Sequence, residues 1–325
     1  MCIENLKKGR GRVRFKRIYA EYTYIFSFIG LVIIAAITND NFLTYSNLST
    51  LIMQSAIKGI IALGMTLVII SGQIDLSVGS TTALVAGLGV VVLNSTQSIL
   101  LMLLFCIIFG TALGMINGLL ITKGKIAAFI VTLATMSAYR SIIVQLGQGG
   151  PFNVSSEMYK KFRIIAVGNI LKIPNLAIIF ILITATVAII MSKTKFGRYV
   201  YAVGSNENAA RLTGINIDKI KIMCFSITGL LTGISAFLLS SRLTSITAPN
   251  AGMSFELDAI AAVAIGGTAM SGGRGKILGT FLGIIMLQMI EGILIAAKIP
   301  PFLTGLVKGI IIILAVLLQR KKDSK

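Results

Sequence analysis

Histidine is absent from the 325-residue chain, and acidic residues number only 11. Without histidine, imidazole general acid–base catalysis and imidazole metal ligation are excluded. The three cysteines, Cys2, Cys106 and Cys224, contain no CxxC pair, and two of them lie in or beside apolar runs. Neither a disulfide framework nor a zinc site follows from such cysteines. Charge is scarce as well, at 13% of residues, where a soluble domain carries about 25%. No phosphate-cradling Walker sequence is present. "GGTAMSGGRGK" lacks the GKS or GKT ending and lies between apolar runs instead of after a strand. The carboxylates are scattered, so no catalytic residue set, no metal site and no energy-coupling site is expected within the chain.

What the chain does hold is hydrocarbon. Hydrophobic residues make up 55% and the mean hydropathy is +0.91. A bilayer-crossing helix needs about 20 apolar residues, because each adds about 1.5 Å across a core about 30 Å thick. Runs of that kind recur at about 22–38, 48–71, 78–93, 98–121, 126–146, 173–192, 222–241, 257–270, 277–297 and 302–318. They are continuous, unlike the alternating strands of about 10 residues in a membrane β-barrel. The expected fold is an all-α polytopic membrane protein of about ten transmembrane helices. It would comprise a basic tail (1–20), a single transmembrane domain (21–320) and a short tail (321–325). The first run lacks a small-residue cleavage site after it and reads as an uncleaved span, not a signal peptide.

The formal net charge of +19 could suggest nucleic acid, but the positions of the charges say otherwise. With the N-terminus inside, the predicted inside segments hold 21 Lys and Arg residues and the outside segments hold 6. Lys58, Arg140 and Lys308 fall within spans. Cytoplasmic loops collect basic residues, so both termini are expected inside and no nucleic acid is implied. The 147–172 loop carries four basic residues against this trend. Small residues at spacing four in "GTALGMING" (110–118) and "GTFLG" (279–283) mark close helix–helix packing.

Two stretches carry the functional reading. The first is "SGQIDLSVGS", Ser71 to Ser80. Gly72 and Gly79 flank Asp75, and Ser77 and Ser80 can bond freed backbone groups, as a helix break in a membrane requires. Three roles are open to Asp75: a cap on the third span, a contact with coupling machinery, or a contact with substrate. The second stretch is the 193–221 loop, the largest on the inside. Ser205 or Asn206 can cap a helix there, Glu207 suits its first turn, Ala209, Ala210, Arg211 and Leu212 favour helix, and Gly214 stops it. A short capped helix at about 206–213 on an inside loop suits docking into another protein's groove. Among the buried charges, Arg140 could snorkel, line the path or pair with Glu291. Lys58 and Lys308 read as packing or snorkelling residues.

"ENAARLTGI", with Gly204 just before it, resembles the coupling loop of ATP-binding cassette importer permeases, although Asn208 stands where that loop usually has alanine. "GQIDLSVGS" resembles the "GGIDLSVGS" signature of the ribose and simple-sugar branch, with Gln73 in place of a glycine. "GRYVYAVGSNENAARLTGINIDKIK" and "ELDAIAAVAIGGTAMSGGRGKILGT" read like the same branch, and the resemblance runs from about 45 to 320. It implies a permease subunit in the bacterial cytoplasmic membrane that imports a ribose-like sugar by alternating access. It also implies partners: ATPase subunits that carry the ATP and Mg, an extracytoplasmic sugar-binding protein, and a second permease subunit in a homo- or heterodimer. The chain itself would hold no cofactor and hydrolyse nothing. Alternatives are a permease for autoinducer-2 or another small polar solute, and an ion-coupled secondary transporter, for which Glu291 is the best-placed acid.

Overall fold

The computed structural model describes residues 23–300, with 303, 305–310 and 313. The tails (1–20 and 321–325) and most of the 302–318 run lie outside the described residues. The helices are α1 (Thr23–Thr38), α2 (Tyr45–Ile70), α3 (Val78–Thr96), α4 (Ile99–Thr122), α5 (Ala128–Leu146), α6 (Ser156–Val167), α7 (Asn175–Lys193), α8 (Lys195–Ser205), α9 (Glu207–Leu212), α10 (Ile217–Leu243), α11 (Phe255–Ile265) and α12 (Ile277–Ala296). Seven of these, α2–α5, α7, α10 and α12, are long and apolar enough to cross a membrane. Helix α1 is apolar but has 16 residues.

Two departures from the sequence reading have local causes. The 257–270 run is not a continuous span, because α11 has only 11 residues, about 16 Å of helix. It stops at Gly266, and Gly267 follows at φ +83°, a conformation that costs glycine little and ends helices. The loop at 147–172 is also more ordered than its polarity suggests. It holds β1 (Pro151–Asn153), the half-buried helix α6 and β2 (Asn169–Ile170), which pairs with β3 (Ile173–Pro174) just beyond it. Strand β1 pairs antiparallel with β4 (Ser245–Thr247), Phe152 opposite Ile246.

Helices α2 and α10 form the centre, and side-chain hydrogen bonds tie it together. Ser235 Oγ donates to Ile57 O at 2.8 Å and Thr228 Oγ1 to Gly64 O at 3.0 Å. Thr66 and Thr280 share a hydroxyl bond at 2.7 Å between α2 and α12. Helix α10 also packs on α3 and α4, and α2 on α11 and α12. The two small-residue motifs sit at these crossings. An added Cβ on Gly110 or Gly114 would strike the backbone of α10 near Gly229, and one on Gly279 or Gly283 would strike α11 at Gly266 or Ala262. Lipid offers no hydrophobic drive between helices, so such close backbone approach supplies the contact.

The crossings leave two distinct ends. At one, Lys123 pairs with Asp218 at 2.9 Å, and Gly273 N donates to Ile70 O at 2.9 Å. This end gathers 122–125, 193–221 and 271–276. The other end carries the β1–β4 pair, braced by Asn94, whose Nδ2 donates to Asn153 O at 2.8 Å. From β4 to 271–276 the chain therefore runs from one end to the other, as a short helix followed by irregular backbone.

Candidate functional site

The 193–221 segment folds as two helices where the sequence reading expected one. Thr194 caps α8 through Gly197 N at 3.2 Å, and Asn206 caps α9 through Ala209 N at 2.9 Å. Each cap satisfies a donor that the first helical turn leaves free. Glu207 opens α9 and pairs with Lys221 at 2.8 Å and with Arg211 at 3.7 Å. Ala210 is buried, and Leu212 next to the C-terminal end is 89% exposed. Gly214 closes the turn at φ +81°, its N–H donating to Arg211 O at 3.0 Å. Beside α9 lies an open cavity of about 530 Å³, lined by Ile121, Lys125, Glu207, Arg211, Asp218 and Lys221.

This loop grips the bundle through backbone. An added Cβ on Gly204 would overlap Ile70 O at the end of α2 and crowd Gly273 N. Tyr201 donates its hydroxyl to Gly275 O at 2.9 Å, and burial raises its phenol pKa. Gly204 and Tyr201 thus fasten the loop to the start of the Ser71–Ser80 stretch and to the 271–276 turn. Tyr201 lies within the stretch that resembles the simple-sugar branch, but nothing in the sequence singled it out as a fastening residue.

After Ile70 the chain leaves helical geometry. Gly72 takes φ +81°, and α3 begins only at Val78. Asp75 is buried at 2% exposure. Its Oδ1 accepts from Ser77 N at 2.9 Å and from Ser77 Oγ at 2.6 Å. Asn117 Nδ2 then donates to Ser77 Oγ at 2.9 Å, which joins α4 to the break. Ser80 Oγ returns to Ser77 O at 3.0 Å. The carboxylate therefore shapes the lead into α3 and does not cap an N–H within it. Gly79 lies where a Cβ would strike Gly252 O and Glu256 Oε2. The start of α3, which leads in from one end, thus meets the start of α11, which leads in from the other.

The buried charges sort differently from the sequence reading. Glu291 does not meet Arg140. It contacts Lys308 and lies 3.7 Å from Lys58, and both lysines reach Asp258 at 2.7 Å. Gln288 Nε2 adds a bond to Glu291 at 2.7 Å. Lys58 and Lys308 are therefore members of a charge-balanced quartet on α2, α11, α12 and the helical segment 305–310, and not snorkelling residues. Similar depth suggested Arg140 as a partner for Glu291, but depth does not fix which way a helix face points. Arg140 Nη1 instead donates to Ala248 O at 2.9 Å and Ala251 O at 2.7 Å, and holds the segment ahead of α11. Among the described residues no group of three or more Cys, Asp or Glu side chains is arranged to hold a metal ion.

Residues 47–316 match the family model described as branched-chain amino acid transport system / permease component. The ribose import permease protein RbsC of Bacillus subtilis (strain 168) is 43% identical over 324 residues, covering 100% of both chains. The RbsC protein of Escherichia coli (strain K12) is 36% identical over 91% of this chain and 94% of its own. The L-arabinose transport system permease protein AraH of the same strain is 33% identical over 95% and 93%. No solved structure matches the chain.

Proposed function

The chain belongs to the branched-chain amino acid transport system / permease component family, and from that premise we propose that it is the membrane subunit of an ATP-binding cassette importer for a ribose-like pentose. It is a multi-pass protein of the bacterial cytoplasmic membrane, a transport subunit and not itself an enzyme. The observation that carries the reading is the fastening of the capped helix pair α8–α9 to Ile70 and Gly275. An ATPase seated on α9 and the adjoining cavity would push on the backbone at both places. Closure of ATP-loaded subunits would then reach the break at 71–77 and the irregular stretch after α11 directly. ATP and Mg belong to that partner. An extracytoplasmic sugar-binding protein delivers substrate at the β1–β4 end.

In this reading both termini and the 193–221 loop face the cytoplasm, which agrees with the basic-residue distribution. The chain makes ten passes, of which α11 with 266–270 is one. A second permease subunit faces α5. That helix exposes Ala134, Ser137, Ala138, Ser141 and Gln145 interleaved with Ile130, Leu133, Ile142 and Leu146, whereas α4 exposes Leu100, Leu104 and Ile108 and α7 exposes Ile181, Leu182 and Ile189. Small and hydroxylated residues suit a neighbouring helix or a watered path, and the aliphatic faces suit lipid. An ion-coupled mechanism loses its best acid, since Glu291 is neutralised within the quartet.

Uptake of labelled ribose by cells with and without this chain tests the function, with arabinose and xylose as competitors. Saturable uptake that disappears with the chain is expected. Unchanged ribose uptake in its absence would overturn the substrate proposed.

A further inference from the structure

Lys160, Lys161, Arg163 and Lys172 run against the charge distribution of the rest of the chain. They lie at the end that carries the β1–β4 pair, where basic residues do not serve to set topology. All four are exposed on one small unit, α6 with the β2–β3 turn, and Glu157 is the one acid in α6. Helix α6 buries Met158, Phe162 and Ala166. Ser241, in the last turn of α10, donates its hydroxyl to Phe162 O at 2.6 Å and accepts from Ala166 N at 3.1 Å. The unit therefore lies at the edge of the membrane-crossing helices. Arg163 stands 5.9 Å from the centre of the Tyr159 ring, a pairing of aromatic and cation that suits the head-group layer.

Beside these charges the unit presents hydrocarbon. Leu171 and Lys172 make the β2–β3 turn at φ +50° and +68°, a conformation that residues with a Cβ avoid. Leu171 at its tip is 92% exposed, flanked by exposed Ile170 and Ile173. A strained turn and a bare leucine are costs that hydrocarbon around the tip would offset. Between α6, β2 and α7 lies an open cavity of about 510 Å³, lined by Ile164, Ile165, Ile170, Ile178 and Ile179. Lys160 and Lys161 stand one turn before Ile164 and Ile165 on α6, so cations rim the apolar wall. Ile178 is one turn before Ile181 and Leu182, which are exposed on the lipid face of α7. The cavity wall thus continues into a surface that meets acyl chains, which suits a lipid and not a water-soluble partner.

We propose that α6 and the β2–β3 turn bind an anionic phospholipid of the adjoining leaflet. An acyl chain lies against the isoleucine cavity, Leu171 dips into hydrocarbon, and Lys160, Lys161, Arg163 and Lys172 hold the head-group phosphate. An amphipathic helix with basic residues beside an apolar face lies in the membrane interface in this way. The site rests on the importer reading only for calling that leaflet the outer one.

The test uses the full chain with Leu171→Cys, in a background free of other cysteines, carrying an environment-sensitive fluorophore. It is reconstituted in vesicles of equal parts phosphatidylglycerol and phosphatidylcholine, with quenching bromine on the acyl chains of one lipid or the other. Brominated phosphatidylglycerol should quench about twofold more than brominated phosphatidylcholine, as selection by four cations implies. Replacing all four exposed cations with glutamine should make the two equal. A label at Ile189→Cys on the lipid face of α7 should show no preference. Inorganic phosphate should lower the preference no more than chloride at the same ionic strength. Equal quenching by the two lipids in the parent, or none by either, would overturn the site. Specific loss to inorganic phosphate would assign the cations to a free anion, and a label untouched by lipid but shielded by sugar-loaded binding protein would assign the surface to that protein; either result overturns the proposal. Lipid selection at the label needs no transport, so its failure is read separately from any failure of ribose uptake.

Discussion

Asp75 accepts two hydrogen bonds from Ser77 and sits buried beside the start of α3. An acid near a helix start contributes about 0.3–1 kcal/mol through the dipole, and asparagine offers the same acceptor oxygen to Ser77. Asp75→Asn should therefore keep most transport, whereas Asp75→Leu should abolish it; loss of uptake in an assembled Asp75→Asn importer would give the residue a charged role. The quartet makes a second residue-scale prediction. Removing one member of a buried ion pair costs about 3–5 kcal/mol because its partner is left uncompensated. Lys308→Met should lower the unfolding temperature markedly, and adding Glu291→Gln should recover part of the loss, as thermal unfolding in detergent would show. Asp75 was legible in the sequence because an acid flanked by glycines between two apolar runs is conspicuous. The quartet was not, since Lys58, Asp258, Glu291 and Lys308 are far apart in sequence and only the packing of α2 on α11 and α12 unites them. Four charges within apolar runs were the available signal, and neutrality in pairs was the rule that would have connected them.

Helix α9 was visible in advance for a physical reason: a cap, an acid in the first turn and a glycine stop are all local instructions. Helix α8 carried local signals too, a Thr194 cap and Gly197, Val200 and Val203 three apart on its buried face, but the glycines at 197 and 204 made the segment read as loop. Helix α11 misled for the opposite reason. Its alanine-rich apolar run has the composition of a span, and only Gly266–Gly267 marks the early stop. The element-scale prediction concerns coupling. Gly214→Pro removes the N–H that closes α9 on Arg211 O and demands a φ the turn does not have. Glu207→Lys reverses the pairing with Lys221 and Arg211. Both variants should insert and bind sugar-loaded partner yet lose ATP-driven uptake; normal uptake by both would remove α9 from the coupling path.

At the scale of the whole molecule, two features organise the bundle. The segments predicted inside by charge, 122–125, 193–221 and 271–276, converge on one end. The starts of α3 and α11 meet within the bundle at Gly79 and Gly252. Single cysteines at Ser205 and Ser156, both exposed, in a background free of other cysteines should react with an impermeant reagent from opposite faces of the membrane. Labelling of both from one face would contradict the orientation. The central claim is that this chain is moved by ATP hydrolysed in a partner docked at α8–α9. The most direct measurement is sugar uptake by proteoliposomes that contain the chain with its ATPase and binding protein. Accumulation should require ATP on the ATPase side and proceed with all ion gradients collapsed. Uptake by the chain alone under a proton or sodium gradient, with no ATP present, would contradict the account.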